Sequence, residues 1–489
     1  MRDVSVDARK ARLAATEISL LVLLVAAVAV AQAFPFKSVK YGLMVFLGVV
    51  MLVQTSRRPA IGLAMLAFVV PAVDLVAFSV PGIRALNAET IVLGLCLFIW
   101  SRASALYGKD GFGPPLGRIV LTYAVLILVS CFVSYITWRS SLVDLLASAK
   151  NHLTYMVFLP VAFHTLREKR DQWLLVGAIS LSLLLNHVQG IHGSWHAFLA
   201  GSLERHRAMA ILAIQPNAFA AAISMYLPLL VVFSLNKVSN RLTQLWFLAG
   251  AATAGFCLLL TLSRGGWMGA AIGLAVIALF RERKLLVLLV LLGASYQVWV
   301  PQAAIDRVEL TTDNDAGSDR IGLDDQMADN STEMRIQQYR SLPAMMAPRP
   351  ILGWGYKSFP QVFEKLGTLR RAKGAHSSYC QLGTEGGAIG LGMLLVVLGG
   401  MAWAGFQGAR LTADPFHRWL GVAVLGGTVA MAVCMGSGAR FEPQKLFAFF
   451  WIMIGIVQRE TVLAQRAAAQ ARHAAGAIVT SRRALEDPA

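Results

Sequence analysis

His376, within the run AHSSYCQLGTEGG, is the residue in this chain best placed by sequence to move a proton. An imidazole with an unperturbed pKa of about 6.5 accepts a proton from a hydroxyl near neutral pH. His376 closes a water-loving stretch, Pro301 to about Leu382, set into an otherwise apolar chain, and Glu385 and the Gly386-Gly387 pair follow it. Charge within that stretch is divided. Asp306 to Glu333 is acid-rich, whereas Arg335, Arg340, Arg349, Lys357, Lys365, Arg370, Arg371 and Lys373 make the second part basic. A basic half beside a histidine suits an anionic substrate, and nearby cations lower the histidine's pKa and favour its neutral, proton-accepting form. The same residues also read as a solvated loop with an ordinary exposed histidine, but loops of this length in compact proteins are usually functional or disordered, and this one carries many aromatics.

Arg264 is the second position of interest. It sits in the turn Ser263-Arg264-Gly265-Gly266 between two long apolar runs, and a charge close to a bilayer needs a partner or water. Small residues there would let a bulky ligand approach the backbone. The competing reading is an arginine that snorkels to anchor a helix end.

Other chemistries lack their residues. There is no Gly-rich phosphate loop with a following Lys-Ser/Thr, no HExxH pair and no CxxC set. The Asp313-Asn314-Asp315 triplet imitates a metal-binding carboxylate pair but lies in a stretch where such triplets arise easily. Ser377 and Ser378 beside His376 do not by adjacency make a triad. Cys96, Cys131, Cys257, Cys380 and Cys434 have no paired spacing, so neither a disulfide framework nor a zinc site is expected.

The elements that must position these groups are membrane helices. Hydrophobic residues make up 56% of the 489 and charged ones 15%, and apolar runs of about twenty residues, the length that crosses a bilayer, recur along the chain. Candidate spans lie near residues 18–34, 41–54, 60–79, 88–101, 118–137, 151–165, 173–190, 212–235, 243–262, 265–280, 284–300, 386–405, 416–435 and 444–458. The short fourth candidate, and the third with Pro71 and Asp74 inside it, read equally as re-entrant or merged, which gives 12–14 transmembrane helices in an all-α polytopic membrane protein. The first run is expected to be a retained span, since no convincing cleavage site follows it.

The formal charge of +17 sits mainly in short clusters between apolar runs, where it sets orientation, so nucleic-acid binding is not expected. Arg57-Arg58, Arg102 with Lys109, Arg167 to Arg170, Lys237 with Arg241, and Arg281 to Lys284 fall in alternate loops, which are assigned with both termini to the cytoplasm. The segment around Arg205 to Arg207, the Arg264 turn, the 301–382 loop and the Gly436 to Gln444 loop then share the opposite face. Within the long loop, Thr332 to about Leu342 reads as an amphipathic helix that Pro343 ends or kinks, and a second helix is expected from about Gln361 to Arg371.

Taken together, the TLSRGGW turn, the Arg207 to Gln215-Pro216-Asn217 segment, the loop sequence MRIQQYRSLPAMMAPRPILGWGYKSF and then AHSSYCQLGTEGGAIGLG resemble the O-antigen ligase and polymerase superfamily over roughly residues 190–405. The resemblance implies a GT-C-like helical glycosyltransferase in a Gram-negative inner membrane, with its active site facing the periplasm. The donor would be an undecaprenyl-diphosphate-linked O-antigen and the acceptor lipid A-core. No cofactor or metal is implied, and the chain is expected to act as a monomer among membrane lipids.

On that pattern His376 matches the loop histidine taken as general base, and Arg264 the arginine of the SRGG turn that holds the donor diphosphate. Arg207 is the choice for the second arginine, with Arg205 two residues away as its rival. The segment departs from the family here, because Ala208 to Gln215 replaces its usual small glycine-containing run. Arg335, Arg340, Arg440 and Glu385 are further candidates.

The organisation implied is N-terminal transmembrane helices over 1–190, helices carrying the donor arginines over 191–300, a catalytic loop over 301–382, C-terminal helices over 383–458 and a tail over 459–489. Three alternatives stay open: a polymerase or a protein O-oligosaccharyltransferase of the same superfamily and, from another class, a lipid-linked glycan transporter. A transporter is expected to show internal repeats and midplane charges, and neither is evident.

Overall fold

The computed structural model describes Ser19, Leu23, Ala26 and residues 37–486 other than 76–78, 81–82, 109, 204–205, 214, 237, 239, 281–282, 301, 303–304, 306–325, 367–373 and 442–443. The expected first span at 18–34 thus lies almost wholly outside the described residues, as do Arg205, the Asp313-Asn314-Asp315 triplet, Arg370, Arg371 and Lys373.

Apart from one short hairpin, the described elements are helices, as the apolar runs require in a medium that offers backbone groups no water. Helix α1 (Lys37–Arg57) is followed at once by α2 (Pro59–Val69), whose first position is a proline with no N–H to leave unsatisfied. A 3₁₀ turn (Val70–Leu75) holding Pro71 and Asp74 ends α2, and the chain turns through the antiparallel pair β1 (Ser79–Val80) and β2 (Ile83–Asn87). The third expected span is therefore a short helix and a hairpin.

A capping box between Asn87 and Thr90 starts α3 (Ala88–Tyr107), and α4 (Leu116–Trp138) stops where Arg139 turns left-handed, at φ 55°. The apolar run expected at 151–165 is split by a 3₁₀ turn between α5 (Leu142–Thr154) and α6 (Phe158–Thr165). Next come α7 (Lys169–Leu199), α8 (Pro216–Leu235), α9 (Arg241–Leu260), α10 (Arg264–Phe280), α11 (Arg283–Ala294) and the short α12 (Tyr296–Trp299). The long loop contributes α13 (Gln326–Met346) and α14 (Phe359–Leu366). The chain then returns through α15 (Ser378–Leu411) and α16 (Pro415–Gly436), and finishes in α17 (Ala448–Glu486).

Seven of these helices are long and apolar enough to cross a membrane among the described residues: α3, α4, α7, α8, α9, α15 and α16. Four shorter apolar helical stretches, within α1, α2, α10 and α11, accompany them. The chain is a multi-pass membrane protein.

Close helix packing sets the frame of the site. Helix α16 lies against α8, α10, α15 and α17. On α10, Gly265, Gly269 and Gly273 recur every fourth residue and so share one face. A Cβ at Gly269 would meet Cys434 Sγ and the Ala430 carbonyl, and one at Gly273 would meet the Gly426 carbonyl. Small residues at this spacing let two helix backbones approach closely, the usual source of helix association in lipid. The same device joins α15 to α16 through Gly405 and Gly421.

Candidate active site

Helix α9 ends at Leu260, and Leu262 takes a left-handed φ of 48° to reverse the chain. The Ser263 carbonyl accepts the Trp267 N–H at 3.0 Å, opening α10 with Arg264 as its first residue. The two glycines after Arg264 are filled by protein: a Cβ at Gly265 would strike Ser437 Oγ, and one at Gly266 would meet Ala220 on α8. The expectation that these glycines clear space for a ligand is corrected accordingly. They bring α10 against α16 and α8, and that packing fixes where Arg264 stands.

Arg207 is held against the same turn. Its Nε donates to the Thr261 carbonyl at 2.6 Å and its Nη2 to Asn217 Oδ1 at 2.8 Å. Next to it, Ala208 N donates to the Leu260 carbonyl at 2.9 Å. The rest of the segment is a tight turn, bridged between Ala210 and Ala213 and tied to α7 where Asn186 Oδ1 and Gln189 Oε1 accept the N–H groups of Leu212 and Ile211. Side chains of α7 here order a segment whose sequence departs from the glycine-containing run expected there.

His376 stands just before α15 and is clamped by a buried glutamine. Gln338 Oε1 accepts the His376 N–H at 2.7 Å, and Gln338 Nε2 donates to the Gly374 carbonyl at 3.1 Å. Ser377 caps α15, accepting the Cys380 N–H. The Tyr339 hydroxyl donates to the Gly436 carbonyl at 2.9 Å and lies 2.8 Å from Ser377 Oγ. Ser378 Oγ accepts the N–H groups of Arg440 and Phe441 at 2.8 and 3.0 Å and donates to the Gly438 carbonyl at 3.2 Å. With its hydroxyl so occupied, Ser378 is a structural knot.

The Gly436–Arg440 segment is thus the meeting point: Ser437 touches the Arg264 turn, Gly436 takes Tyr339, and Gly438 and Arg440 take Ser378. Half-buried His376 has its pKa lowered by burial first and then by the charges of Arg335 and Arg440. No described residue hydrogen-bonds to its ring. Buried Arg440 is itself lowered to about 10, by burial first and also by Arg335.

Residues 249–395 match the family model of the O-antigen ligases. The O-antigen ligase match runs from within α9 to the middle of α15, so it takes in Arg264, Arg335, Arg340, His376 and Glu385 and leaves out Arg207 and Arg440. No curated protein matches the chain.

Within the O-antigen ligase stretch, two candidates part from the cluster. Arg340 is exposed, one residue past the α13 face that carries Arg335, Gln338 and Tyr339. Glu385 lies two turns into α15, away from His376, and its buried Oε1 accepts the Phe359 N–H at 3.4 Å and the Gln381 side chain at 3.5 Å.

There α15 is interrupted at Gly387, φ 61°, and the loop strand 350–356 docks into the break. Trp354 N donates to the Thr384 carbonyl, Gly355 N to Glu385, and Ala388 N to Pro350. On its other side, Tyr356 N donates to the Ser130 carbonyl of α4 at 3.0 Å. Gly355, at φ 101°, presses on the Ser134 backbone, where no side chain fits. Ser130 is eight residues before the end of α4, so this strand descends about 12 Å along the helix at 1.5 Å per residue. Irregular backbone at that depth survives because α4 and α15 satisfy its hydrogen bonds.

The sequence reading missed Gln338, Tyr339 and the strand. Gln338 and Tyr339 follow Arg335 by three and four residues on the loop helix, the one local signal that could have singled them out.

Proposed function

We propose that this protein is a lipid-linked glycan ligase of lipopolysaccharide assembly, which moves an O-antigen from undecaprenyl diphosphate to a sugar hydroxyl of lipid A-core at the periplasmic face of the inner membrane. The match of residues 249–395 to the O-antigen ligases supports the class of activity. The observation that carries the mechanism is the convergence of the His376 loop and the Arg264 turn on the Gly436–Arg440 segment.

His376 is the general base. Its lowered pKa keeps the imidazole neutral at physiological pH, and it takes the proton as the acceptor oxygen bonds to the anomeric carbon of the donor sugar. The bond from that carbon to the diphosphate breaks with inversion, and undecaprenyl diphosphate leaves with the bonding electrons. Arg264 and Arg207 bind the developing charge on the diphosphate through charge-assisted hydrogen bonds worth roughly 1.5–3 kcal/mol each. Arg335 and Arg440 add positive potential beside the base. Guanidinium groups supply the countercharge, and the reaction proposed is metal-independent.

The deciding experiment is transfer by purified protein from an undecaprenyl-diphosphate-linked glycan to lipid A-core, with and without chelator, beside His376→Ala. Product that requires His376 and ignores chelator is expected. Longer lipid-linked chains with no capped lipid A-core would make the protein a polymerase, and full activity of His376→Ala would remove the histidine from the mechanism.

A further inference from the structure

At the end of α4, Trp138 clusters with three side chains of the long loop. The Arg349 guanidinium lies 4.8 Å from the Trp354 ring centroid, Trp354 and Trp138 pack with centroids 5.9 Å apart, and Lys365 Nζ lies 4.7 Å from Trp138. Hydrogen bonds lock both indoles, Trp138 Nε1 donating to the Trp354 carbonyl at 3.0 Å and Trp354 Nε1 to the Met345 carbonyl at 2.7 Å. Arg349 Nη1 is fixed on Thr137 Oγ1 at 2.6 Å. No described carboxylate pairs with either cation.

The cluster's position is as informative as its composition. Trp138 is the last residue of a 23-residue apolar span, so the two cations lie where the hydrocarbon ends. Below them the outward surface is apolar: Ile136 is 70% exposed, and Ile351 and Leu352 of the docked strand are 64% and 47% exposed. Leu352 lines a cavity together with Val129 and Val133, which lie nine and five residues before the end of α4. Positive charge at the helix end over apolar side chains deeper down is the order of a lipid monolayer, headgroup above acyl chain.

We propose that the Arg349–Trp354–Trp138–Lys365 cluster is a binding seat for anionic membrane lipid in the leaflet on the His376 side, its two cations drawing the negative headgroup. The two indoles, tilted at 46° and each hydrogen-bonded, hold two cations in fixed positions, which a freely snorkelling pair would not have. Ile351 and Leu352 lie against the acyl chains of the same lipid. The docked strand and Arg349 belong to the loop that ends in His376, so a lipid in this seat also secures that loop to the membrane surface. The proposal does not depend on the chemistry the site performs.

The test uses the full chain in phosphatidylcholine bilayers that contain an equal, small fraction of brominated phosphatidylglycerol or brominated phosphatidylcholine, with quenching of tryptophan fluorescence as the readout. The anionic lipid is expected to quench more, and Lys365→Gln and Arg349→Gln are each expected to weaken that preference about fivefold, the effect of one cation at a charged membrane surface. Lys365 is exposed and its one polar or ring contact among the described residues is with Trp138, so its variant is expected to keep the fold even if Arg349→Gln disturbs the contact with Thr137. Equal quenching by the two lipids, or a preference unchanged in Lys365→Gln, would overturn the proposal. Loss of the preference on adding millimolar inorganic phosphate at constant ionic strength would also overturn it, by making this a site for free phosphate.

Discussion

The Tyr339 hydroxyl lies 2.8 Å from Ser377 Oγ while donating to the Gly436 carbonyl, so one phenol joins the residue after His376 to the residue before Ser437, which packs on the Arg264 turn. A single side chain therefore spans the His376 side and the Arg264 side of the candidate site. Tyr339→Phe keeps the ring and removes both hydrogen bonds, worth roughly 1 kcal/mol each. Misplaced reacting groups lower kcat more than they raise KM. We expect kcat for glycan transfer to fall about tenfold or more with donor KM within about twofold, and a variant with unchanged kcat would reduce Tyr339 to a surface contact.

The pH dependence of transfer follows from the environment of His376. A base works when unprotonated, so activity should fall as pH drops through its folded pKa, which burial, Arg335 and Arg440 hold below 6.5. Removing one cation raises that pKa. Arg335→Gln is therefore expected to move the acid limb of the kcat/KM profile to higher pH, toward 6.5, while leaving the plateau shape intact. An acid limb that stays in place would place the titrating group elsewhere.

Gln338 binds the backbone on both sides of Ala375, and its amide is the only side chain that bonds the His376 N–H among the described residues. Gln338→Leu leaves a part-buried N–H and a part-buried carbonyl without their partners, at a cost of about 1 kcal/mol per group. Gln338→Glu keeps the acceptor and loses the donor. The expected order of activity is wild type, then Gln338→Glu, then Gln338→Leu, read as initial rates at equal protein in the membrane fraction. If Gln338→Leu were as active as wild type, the loop would hold His376 without the clamp.

The helices, and the place of His376 just ahead of one of them, were legible in the sequence because apolar run length and the break in hydropathy are local properties. The loop helix was legible too, although Pro343 lies within it and α13 continues to Met346. What stayed hidden depends on partners far away in the chain. Nothing near Gly387 announces that α15 opens to receive a strand from thirty-odd residues earlier, because the evidence for it is a set of backbone hydrogen bonds between 350–355 and 384–389. The SRGG glycines misled for the same reason: their sequence shows that something comes close, and only packing shows that it is Ser437 and Ala220. Tyr339 and Gln338 look like ordinary polar positions on an amphipathic helix until Ser377, Gly436 and His376 are beside them.

Helix packing under the site yields a stability prediction. A methyl at Gly269 would meet Cys434 Sγ at 2.5 Å and the Ala430 carbonyl at 2.8 Å, and the second of these is main chain that cannot swing aside. Overpacking of this kind costs roughly 1–3 kcal/mol. Gly269→Ala is expected to lower the thermal midpoint in detergent, whereas Gly255→Ala, with nothing within 4 Å, should leave it unchanged or slightly raised. Equal midpoints for the two variants would mean that α10 and α16 have room to separate.

Arg207 offers the sharpest test of the donor side, because its charge and its geometry can be varied separately. Bonds to the Thr261 carbonyl and to Asn217 fix the plane of its guanidinium beside the Arg264 turn. Lysine keeps the charge but presents a point cation with no planar fork, and it has no means of reproducing two bonds in different directions. If Arg207 orients the diphosphate, Arg207→Lys should raise the donor KM about tenfold or more, close to the effect of Arg207→Ala, since each charge-assisted bond lost is worth roughly 1.5–3 kcal/mol. If only positive potential matters, Arg207→Lys should stay near wild type while Arg207→Ala fails. Asn217→Ala separates the remaining case, for it leaves the charge untouched and frees the guanidinium from its bond to the start of α8. A donor KM raised in Asn217→Ala as well would show that the orientation of Arg207, set by the start of α8, is what the donor reads.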